Sequence, residues 1–118
     1  MSKPLDARAA EDAAADFLER QGYKVVRRNV TSSLGEIDIV AVDDCMVVFV
    51  EVKSRARTDY GPPEVAVDHK KQAKLRRLAQ QFLERHNLLD SPCRFDVVAL
   101  TPTDGGDDWN IEVFQDAF

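Results

Sequence analysis

Two strand-like segments that carry charged residues in apolar surroundings are the feature of this sequence that most limits its fold. Segments 34–42 and 46–53 are rich in valine and isoleucine, a composition typical of β-strands. The short polar stretch between them favours a hairpin turn. The sequence therefore predicts two neighbouring antiparallel strands, and the charged side chains on them need an explanation.

The predicted hairpin brings two carboxylates together. Because a strand sends alternate side chains to opposite faces, Glu36 and Asp38 share one face of the first strand. Glu51 and Lys53 likewise share one face of the second. A hairpin that is symmetric about its turn places Asp38 opposite Glu51 and Glu36 opposite Lys53. Like charges in directly opposed positions destabilise a sheet. A bound Mg²⁺ (or Mn²⁺) ion is the simplest reason for them, since hard cations bind carboxylate oxygens.

The alternative interpretation is that Asp38 and Glu51 are charges that protect an edge strand from aggregation. The neighbouring residues argue against it. Ile37 and Ile39 flank Asp38, and the second strand is apolar throughout 46–50. Such runs are typical of strands that are buried on both faces. We therefore favour a metal site at this pair.

The remaining sequence predicts two helices and three further strands around the hairpin. Gly22 is well placed as the C-terminal cap of the first helix, and Asp68 as the N-cap of the second. We expect a single domain, 1–118, in which helices pack on a mixed sheet as an α/β sandwich. The predicted elements are, in order, helix 4–21, strands 23–30, 34–42 and 46–53, helix 68–86, strand 93–100 and an edge strand 109–114.

Polar residues beside the apolar faces of both helices are candidate site residues. Glu11 lies at the margin of the apolar arc of the first helix, where a glutamate is either a surface residue or a ligand. Lys71 and Gln72 project from the apolar stripe of the second helix, and they either serve a site or reach solvent at the helix end. The predicted apolar faces are Ala10, Ala13, Ala14, Phe17 and Leu18 in the first helix, and Leu75, Leu78, Ala79, Phe82 and Leu83 in the second.

Composition and cysteine content bound the class of protein. The chain has 118 residues, 44% of them hydrophobic and 31% charged, as in ordinary globular proteins. No apolar run approaches the roughly 20 residues that span a bilayer, and the N-terminus lacks the apolar core of a signal peptide. Cys45 and Cys93 do not form a metal-ligand spacing and are too few for a disulfide scaffold. We expect a cytoplasmic protein with no membrane partner.

The charge of the chain is unevenly distributed. The net charge is −5, but residues 101–118 alone contribute five acidic side chains and no basic one. The middle of the chain carries basic groups around Lys53 and around Lys71. Local potential, not net charge, decides where a phosphate backbone docks. The distribution therefore permits a nucleic-acid partner, and the acidic surface also permits a protein partner.

The site motif resembles that of a known nuclease superfamily. An acidic residue on one strand, Glu-x-Lys on the next and a glutamate on a preceding helix resemble the restriction-endonuclease-like superfamily. More closely, the runs at 35–41 and 49–55, together with 66–67 and Lys71, resemble the YraN family of small bacterial proteins. The archaeal Holliday-junction resolvases are similar in size and motif order. One departure is Ala10, where a glycine is expected before the helix glutamate, and alanine suits a helix better.

The resemblance implies a restriction-endonuclease-like three-layer α/β sandwich and a magnesium-dependent phosphodiesterase that acts on DNA. Lys71 and Gln72 are added as candidate catalytic residues from their place on the second helix. Arg55 and Arg57, past the end of the second strand, are expected to meet backbone phosphates. By motif correspondence, the metal ligands are Asp38 and Glu51, the catalytic lysine is Lys53 and the auxiliary acid is Glu11.

Two function classes follow from these observations. The leading hypothesis is a structure-specific endonuclease that acts on branched or damaged DNA, and a junction substrate would require a homodimer because paired cuts need two active sites. The alternative is a nucleic-acid-binding or adaptor module that keeps the nuclease fold with little or no catalysis. The intact set of Asp38, Glu51 and Lys53 favours the enzyme, whereas the acidic surface favours the adaptor. A purely structural protein is the least favoured class.

Overall fold

The structure is a computed structural model that describes residues 5–54, 67–103 and 108–118. A five-stranded sheet in the order β1-β2-β3-β4-β5 is packed between two helices. Strands β3 and β4 are parallel and the other neighbours are antiparallel, so the sheet is mixed. The elements are α1 (Leu5–Arg20), β1 (Lys24–Ser32), β2 (Gly35–Asp43), β3 (Met46–Ser54), α2 (His69–Arg85), β4 (Cys93–Pro102) and β5 (Trp109–Phe114).

The predicted element order and mixed sheet are confirmed, and β5 is an edge strand as expected. Helix α2 lies in the connection between β3 and β4, because parallel neighbours require a long crossover. Within the described part of the chain, neither helix is long and apolar enough to cross a bilayer.

The helix caps account for where α1 ends and α2 begins. Gly22 has φ of 98°, a left-handed conformation that favours glycine, and the Tyr23 amide donates back to the Leu18 carbonyl at 3.0 Å. The Asp68 side chain accepts a hydrogen bond of 2.8 Å from the Lys71 amide. Both predicted caps are confirmed.

The two helices cover opposite faces of the sheet. One core cluster joins α2 to side chains such as Phe49 and Phe95, and the other joins α1 to side chains such as Val48 and Val98. The protein is therefore a three-layer α/β sandwich. The apolar stripe of α2 is the predicted one: Leu75, Leu78, Ala79, Phe82 and Leu83 are all buried.

The buried face of α1 is rotated from the predicted one. Ala13 and Phe17 are only half-buried, whereas Ala15 and Glu11 are buried. Small alanines let the helix backbone approach the sheet closely, and the bulky Phe17 is left at the flank. The rotation brings Glu11 into the interface with the sheet, so its expected place at the margin of the apolar arc is corrected to one inside it.

The β2–β3 hairpin has the predicted register, but its ladder is shorter than expected. Paired positions run from Asp43↔Met46 to Ile39↔Val50 and stop there. The predicted backbone pairing of Asp38 with Glu51, and of residue 36 with residue 53, lies beyond this point and does not form. The strands separate at Asp38, and this separation shapes the candidate site.

Candidate metal centre

Three carboxylates from α1 and β2 gather at one point of the structure. Glu11, Glu36 and Asp38 each offer an oxygen, and the three oxygens lie within 4.8 Å of one another. Glu11 is only 4% exposed, and the other two are half-buried. Charges of one sign held this close and partly out of water are costly unless something compensates them. The donor set consists of carboxylate oxygens alone, which fits a hard divalent cation such as Mg²⁺ or Mn²⁺.

Asp38 reaches this cluster because β2 is irregular at that residue. Ile37 and Val40 pack with α2, whereas Ile39 packs with α1, so the alternation of side chains slips by one residue at Asp38. The neighbouring strand is irregular at the same level. Asn29 of β1, between the pairs Arg28↔Ile39 and Val30↔Ile37, has φ of 53°, which is uncommon for a residue other than glycine.

The Asp38 side chain provides a hydrogen-bond acceptor where the β2–β3 ladder has ended. Its Oδ2 accepts a hydrogen bond of 2.9 Å from the Val52 amide of β3. A backbone donor that would otherwise have no ladder partner is satisfied in this way. The bond also fixes the orientation of the carboxylate in the gap between β2 and β3.

Glu51 lies beside Asp38 but contacts the opposite helix. Its Oε1 accepts a hydrogen bond of 3.1 Å from Nζ of Lys71 on α2, and its side chain is 11% exposed. Burial raises the pKa of Glu51, the negative charge of Asp38 raises it further, and Lys71 acts in the opposite direction. Asp38 is thus shared between the Glu11–Glu36 cluster and the Glu51–Lys71 pair.

The other predicted site residues are placed as follows. Lys53 is half-buried and follows Glu51 by two positions on β3, so the two share a strand face. Gln72 donates from Nε2 to the Val67 carbonyl at 2.6 Å, which ties it to the start of α2, and no described hydrogen bond joins it to the carboxylates. Arg55 and Arg57 lie outside the described residues. The roles assigned to all of these residues stay predictions.

Glu36 is the site residue that sequence reasoning did not include. Its spacing of two residues from Asp38 placed both carboxylates on one strand face, which was a usable signal. The symmetric hairpin, however, predicted that Glu36 lies opposite Lys53 and not beside α1. A cavity of about 390 Å³ adjoins this side of the site and is lined by Glu36, Lys70, Lys71 and Lys74, among others. Positive side chains therefore line the same cavity as Glu36.

A second buried polar cluster joins β1, β4 and the C-terminal residues. Asp96 is fully buried, and its carboxylate accepts hydrogen bonds from Tyr23 at 3.1 Å, from Arg94 at 2.9 Å and from the Asp116 amide at 3.0 Å. Hydrogen bonding to Asp96 raises the pKa of Arg94, and burial raises the pKa of Tyr23. The buried side-chain donors and acceptors of this cluster all have hydrogen-bond partners. We therefore interpret the cluster as structural. In the sequence, the signal for this cluster was Asp96, a charged residue inside the apolar run 95–100.

A three-layer α/β sandwich with carboxylates gathered where two central strands separate defines the class of protein: an α/β protein with a candidate metal centre. The chain belongs to the uncharacterised protein family UPF0102, which it matches over residues 10–100. That range includes every described residue of the candidate site.

Relatives of this family come from several bacteria. The UPF0102 protein STH1475 of Symbiobacterium thermophilum is 48% identical over 98 residues, which is 83% of each chain. A UPF0102 protein of Pelotomaculum thermopropionicum is 38% identical over 117 residues, or 99% of this chain and 98% of the relative. One from Prosthecochloris aestuarii is 50% identical over 95 residues, or 79% and 73%. The similarity thus extends over nearly full-length proteins.

Proposed function

We propose that this protein is a divalent-metal-dependent endonuclease that hydrolyses phosphodiester bonds in DNA, with branched DNA as the favoured substrate. The observation that carries the proposal is the convergence of Glu11, Glu36 and Asp38 within 4.8 Å. Glu51 and Lys53, in the Glu-x-Lys spacing that resembles the restriction-endonuclease-like superfamily, follow on the adjacent strand. The resemblance to the YraN family supports the fold, and the resemblance of the motif to the superfamily supports the reaction class.

The residues present fit a hard cation, and each has a separate task in the proposed reaction. Asp38, held by the Val52 amide, would bind the cation together with Glu11 and Glu36. Glu51, which interacts with Asp38 but lies outside this group of three, would act next to the cation. A bound divalent cation polarises a phosphoryl oxygen and lowers the pKa of a water molecule.

The lysines supply the positive charge of the proposed site. Lys53 shares a strand face with Glu51 and would stabilise the negative charge that develops on the phosphoryl group. Lys71 holds one oxygen of Glu51 at 3.1 Å and so orients that carboxylate. Lys71 is therefore a positioning residue in this proposal. Gln72, which binds the start of its own helix, has no assigned task.

The alternative function is a nucleic-acid-binding or adaptor module with little catalysis. One observation favours it: Glu51 already has a cationic partner in Lys71 and needs no metal ion for charge balance. The convergence of Glu11, Glu36 and Asp38 favours the enzyme, because three carboxylate oxygens within 4.8 Å of one another suit a hard divalent cation.

Cleavage of a panel of DNA substrates tests the proposal. Wild-type protein is incubated with duplex, flap and four-way-junction DNA in Mg²⁺, in Mn²⁺ and in EDTA. We expect that cleavage by wild type requires the metal ion. Lys53→Ala should abolish cleavage while DNA affinity stays within a few-fold of wild type. Lys24→Ala should retain cleavage. Lys24 is the matched control because it is an exposed strand lysine of β1.

Two results would contradict the proposal. Normal cutting by Lys53→Ala would show that the catalytic assignment is wrong. Tight DNA binding without cleavage of any substrate in either metal would favour the adaptor instead. If four-way junctions are cut in pairs, light scattering should also find a homodimer, because one chain carries one candidate site.

A further inference from the structure

A basic groove begins at the candidate metal centre and follows one flank of α2. Its first part is the cavity of about 390 Å³ that Glu36, Lys71 and Lys74 line. Lys71 also holds Glu51, so this end of the groove opens directly beside the carboxylates. Leu78 forms the far wall of the cavity. A ligand that entered here would lie against positive side chains within reach of the proposed site.

The groove continues between α2 and the edge strand β1. A second cavity of about 290 Å³ shares Leu78 with the first, and its lining includes Arg27, Arg28 and Arg85. We call the two adjoining cavities together the α2–β1 groove. It has carboxylates at one end and arginines at the other, with lysines of α2 between them.

Helical geometry makes the α2 side of this groove continuous. Residues 71, 74, 78, 81 and 85 all line it, and their spacings of three and four place them on one flank of the helix. At a rise of 1.5 Å per residue, Lys71 and Arg85 are roughly 21 Å apart along the helix axis. This length corresponds to roughly six base-pair steps at 3.4 Å each along one DNA strand.

The charge of the groove contrasts with that of the chain. The net charge of the protein is −5, yet the groove is lined by six lysines and arginines against two acidic residues: Lys70, Lys71, Lys74, Arg27, Arg28 and Arg85, against Glu36 and Asp68. Lys71 and Arg28 are paired with Glu51 and Asp12. Lys74 and Arg85 are exposed and have no acidic partner within the described part of the chain. Their charge is therefore available to a ligand.

We propose that the α2–β1 groove binds the phosphate backbone of duplex DNA and leads it to the carboxylate cluster. This inference rests on the proposed function, because it assigns the substrate path to that site. Lys71 and Lys74 near one end of the groove and Arg85 at the other are cations fixed on one rigid helix, over a length that several phosphates of a duplex strand span. Single-stranded nucleic acid is usually held by exposed aromatic side chains on which bases stack. Two rings line the groove: Phe82 is only 8% exposed and packs in the core, and the exposed imidazole of His86 lies 4.3 Å from the Phe82 ring.

Binding measured without catalysis tests the groove. Fluorescence anisotropy with a labelled 30-base-pair duplex in EDTA, between 50 and 200 mM salt, compares wild type with Lys74→Gln and Arg85→Gln. Arg20→Gln is the matched control, because it removes one exposed charge from α1 on the opposite side of the sheet. Each groove variant should weaken binding several-fold and reduce the slope of log K against log salt by roughly 0.9, while Arg20→Gln should match wild type. Circular dichroism of each variant checks that the substitution leaves the fold intact.

The outcomes separate the groove from the proposed function. Loss of binding by the groove variants supports the groove even if wild type cleaves no substrate, in which case only the endonuclease proposal fails. Cleavage by wild type together with unchanged binding by both groove variants overturns the groove and leaves the endonuclease proposal standing. Equal or tighter binding of single-stranded DNA or duplex RNA, or competition by polyglutamate as strong as by DNA, would also overturn the assignment to duplex DNA.

Discussion

Replacing Glu11 with glutamine should have opposite effects on the protein without metal and with metal. Glu11 is 4% exposed, and its carboxylate lies within 4.8 Å of those of Glu36 and Asp38. Without a cation the charged Glu11 repels both neighbours. With a cation it is one of the ligands. We choose Glu11 over Asp38 because the Asp38 carboxylate also accepts a hydrogen bond from the Val52 amide, which would complicate the comparison.

The size of the effect follows from the geometry. Two unit charges about 4.8 Å apart repel by roughly 3 kcal/mol at an effective dielectric constant of about 20. Glu11→Gln removes two such pairs, but solvation of the carboxylates and their other contacts offset much of this energy. We expect a net gain of roughly 1–2 kcal/mol in the free energy of unfolding. For a chain of 118 residues, 1 kcal/mol corresponds to a shift in Tm of roughly 4 °C.

Thermal unfolding followed by circular dichroism measures both effects. In EDTA, Glu11→Gln should melt roughly 4–8 °C above wild type. In Mg²⁺ or Mn²⁺ at 100 times its Kd, wild type should gain roughly 2.7 kcal/mol, and the variant should gain much less. Glu19→Gln is the matched control, an exposed glutamate on the same helix, and should stay within roughly 0.5 kcal/mol of wild type in both buffers.

Two results would refute this reasoning. A lower Tm of Glu11→Gln in EDTA, with the fold retained, would mean that other contacts of Glu11 outweigh the repulsion. A full metal-induced shift in the variant would mean that the cation is held without Glu11. The first result would refute the repulsion argument, and the second would remove Glu11 from the candidate metal centre.

Two further predictions concern the other ionisable groups. Asp96→Ala should destabilise the protein by roughly 3–5 kcal/mol in urea unfolding, because it leaves the largely buried Arg94 with half of its ion pairing; a loss under 1 kcal/mol would show that the cluster is dispensable. The pKa of Glu51 in the folded protein is raised above its ordinary value of 4.5. The protonated form of Glu51 therefore contributes stability that is fully present below pH 4.5 and is lost as the pH rises through the folded pKa. In EDTA the unfolding free energy of wild type should therefore fall relative to Glu51→Gln as pH rises above 4.5, and a relative rise would mean that the contact with Lys71 outweighs burial.

Local sequence patterns were sufficient to predict the elements of the fold. The caps at Gly22 and Asp68 and the apolar stripe of α2 depend on residues near in sequence, and the structure confirms them. The face of α1 was less predictable, because an alanine-rich helix has little contrast between its sides. Ala13 and Ala15 are chemically equal, and only the docking of the helix on the sheet buries Ala15 more deeply.

The candidate site was predictable only where one hairpin determines it. The register of β2 and β3 follows from a short turn, so the closeness of Asp38 and Glu51 was accessible from the sequence. The position of Glu36 beside Glu11 could not be predicted from the sequence, because it depends on how α1 docks on the sheet. The α2–β1 groove is likewise a product of tertiary packing, since β1 and α2 are distant in the chain.

The irregularity at Asp38 explains how the candidate site joins two sides of the sheet. Glu11 belongs to the helix on one face, and the Glu51–Lys71 pair contacts the helix on the other face. A residue in a regular strand points to one face only. Asp38 interacts with both groups because it lies where the side-chain alternation slips and the β2–β3 ladder ends. Asn29 of β1, at the same level of the sheet, has the left-handed conformation that asparagine adopts more readily than most residues. Asp38 is therefore the residue through which the two halves of the site are coupled.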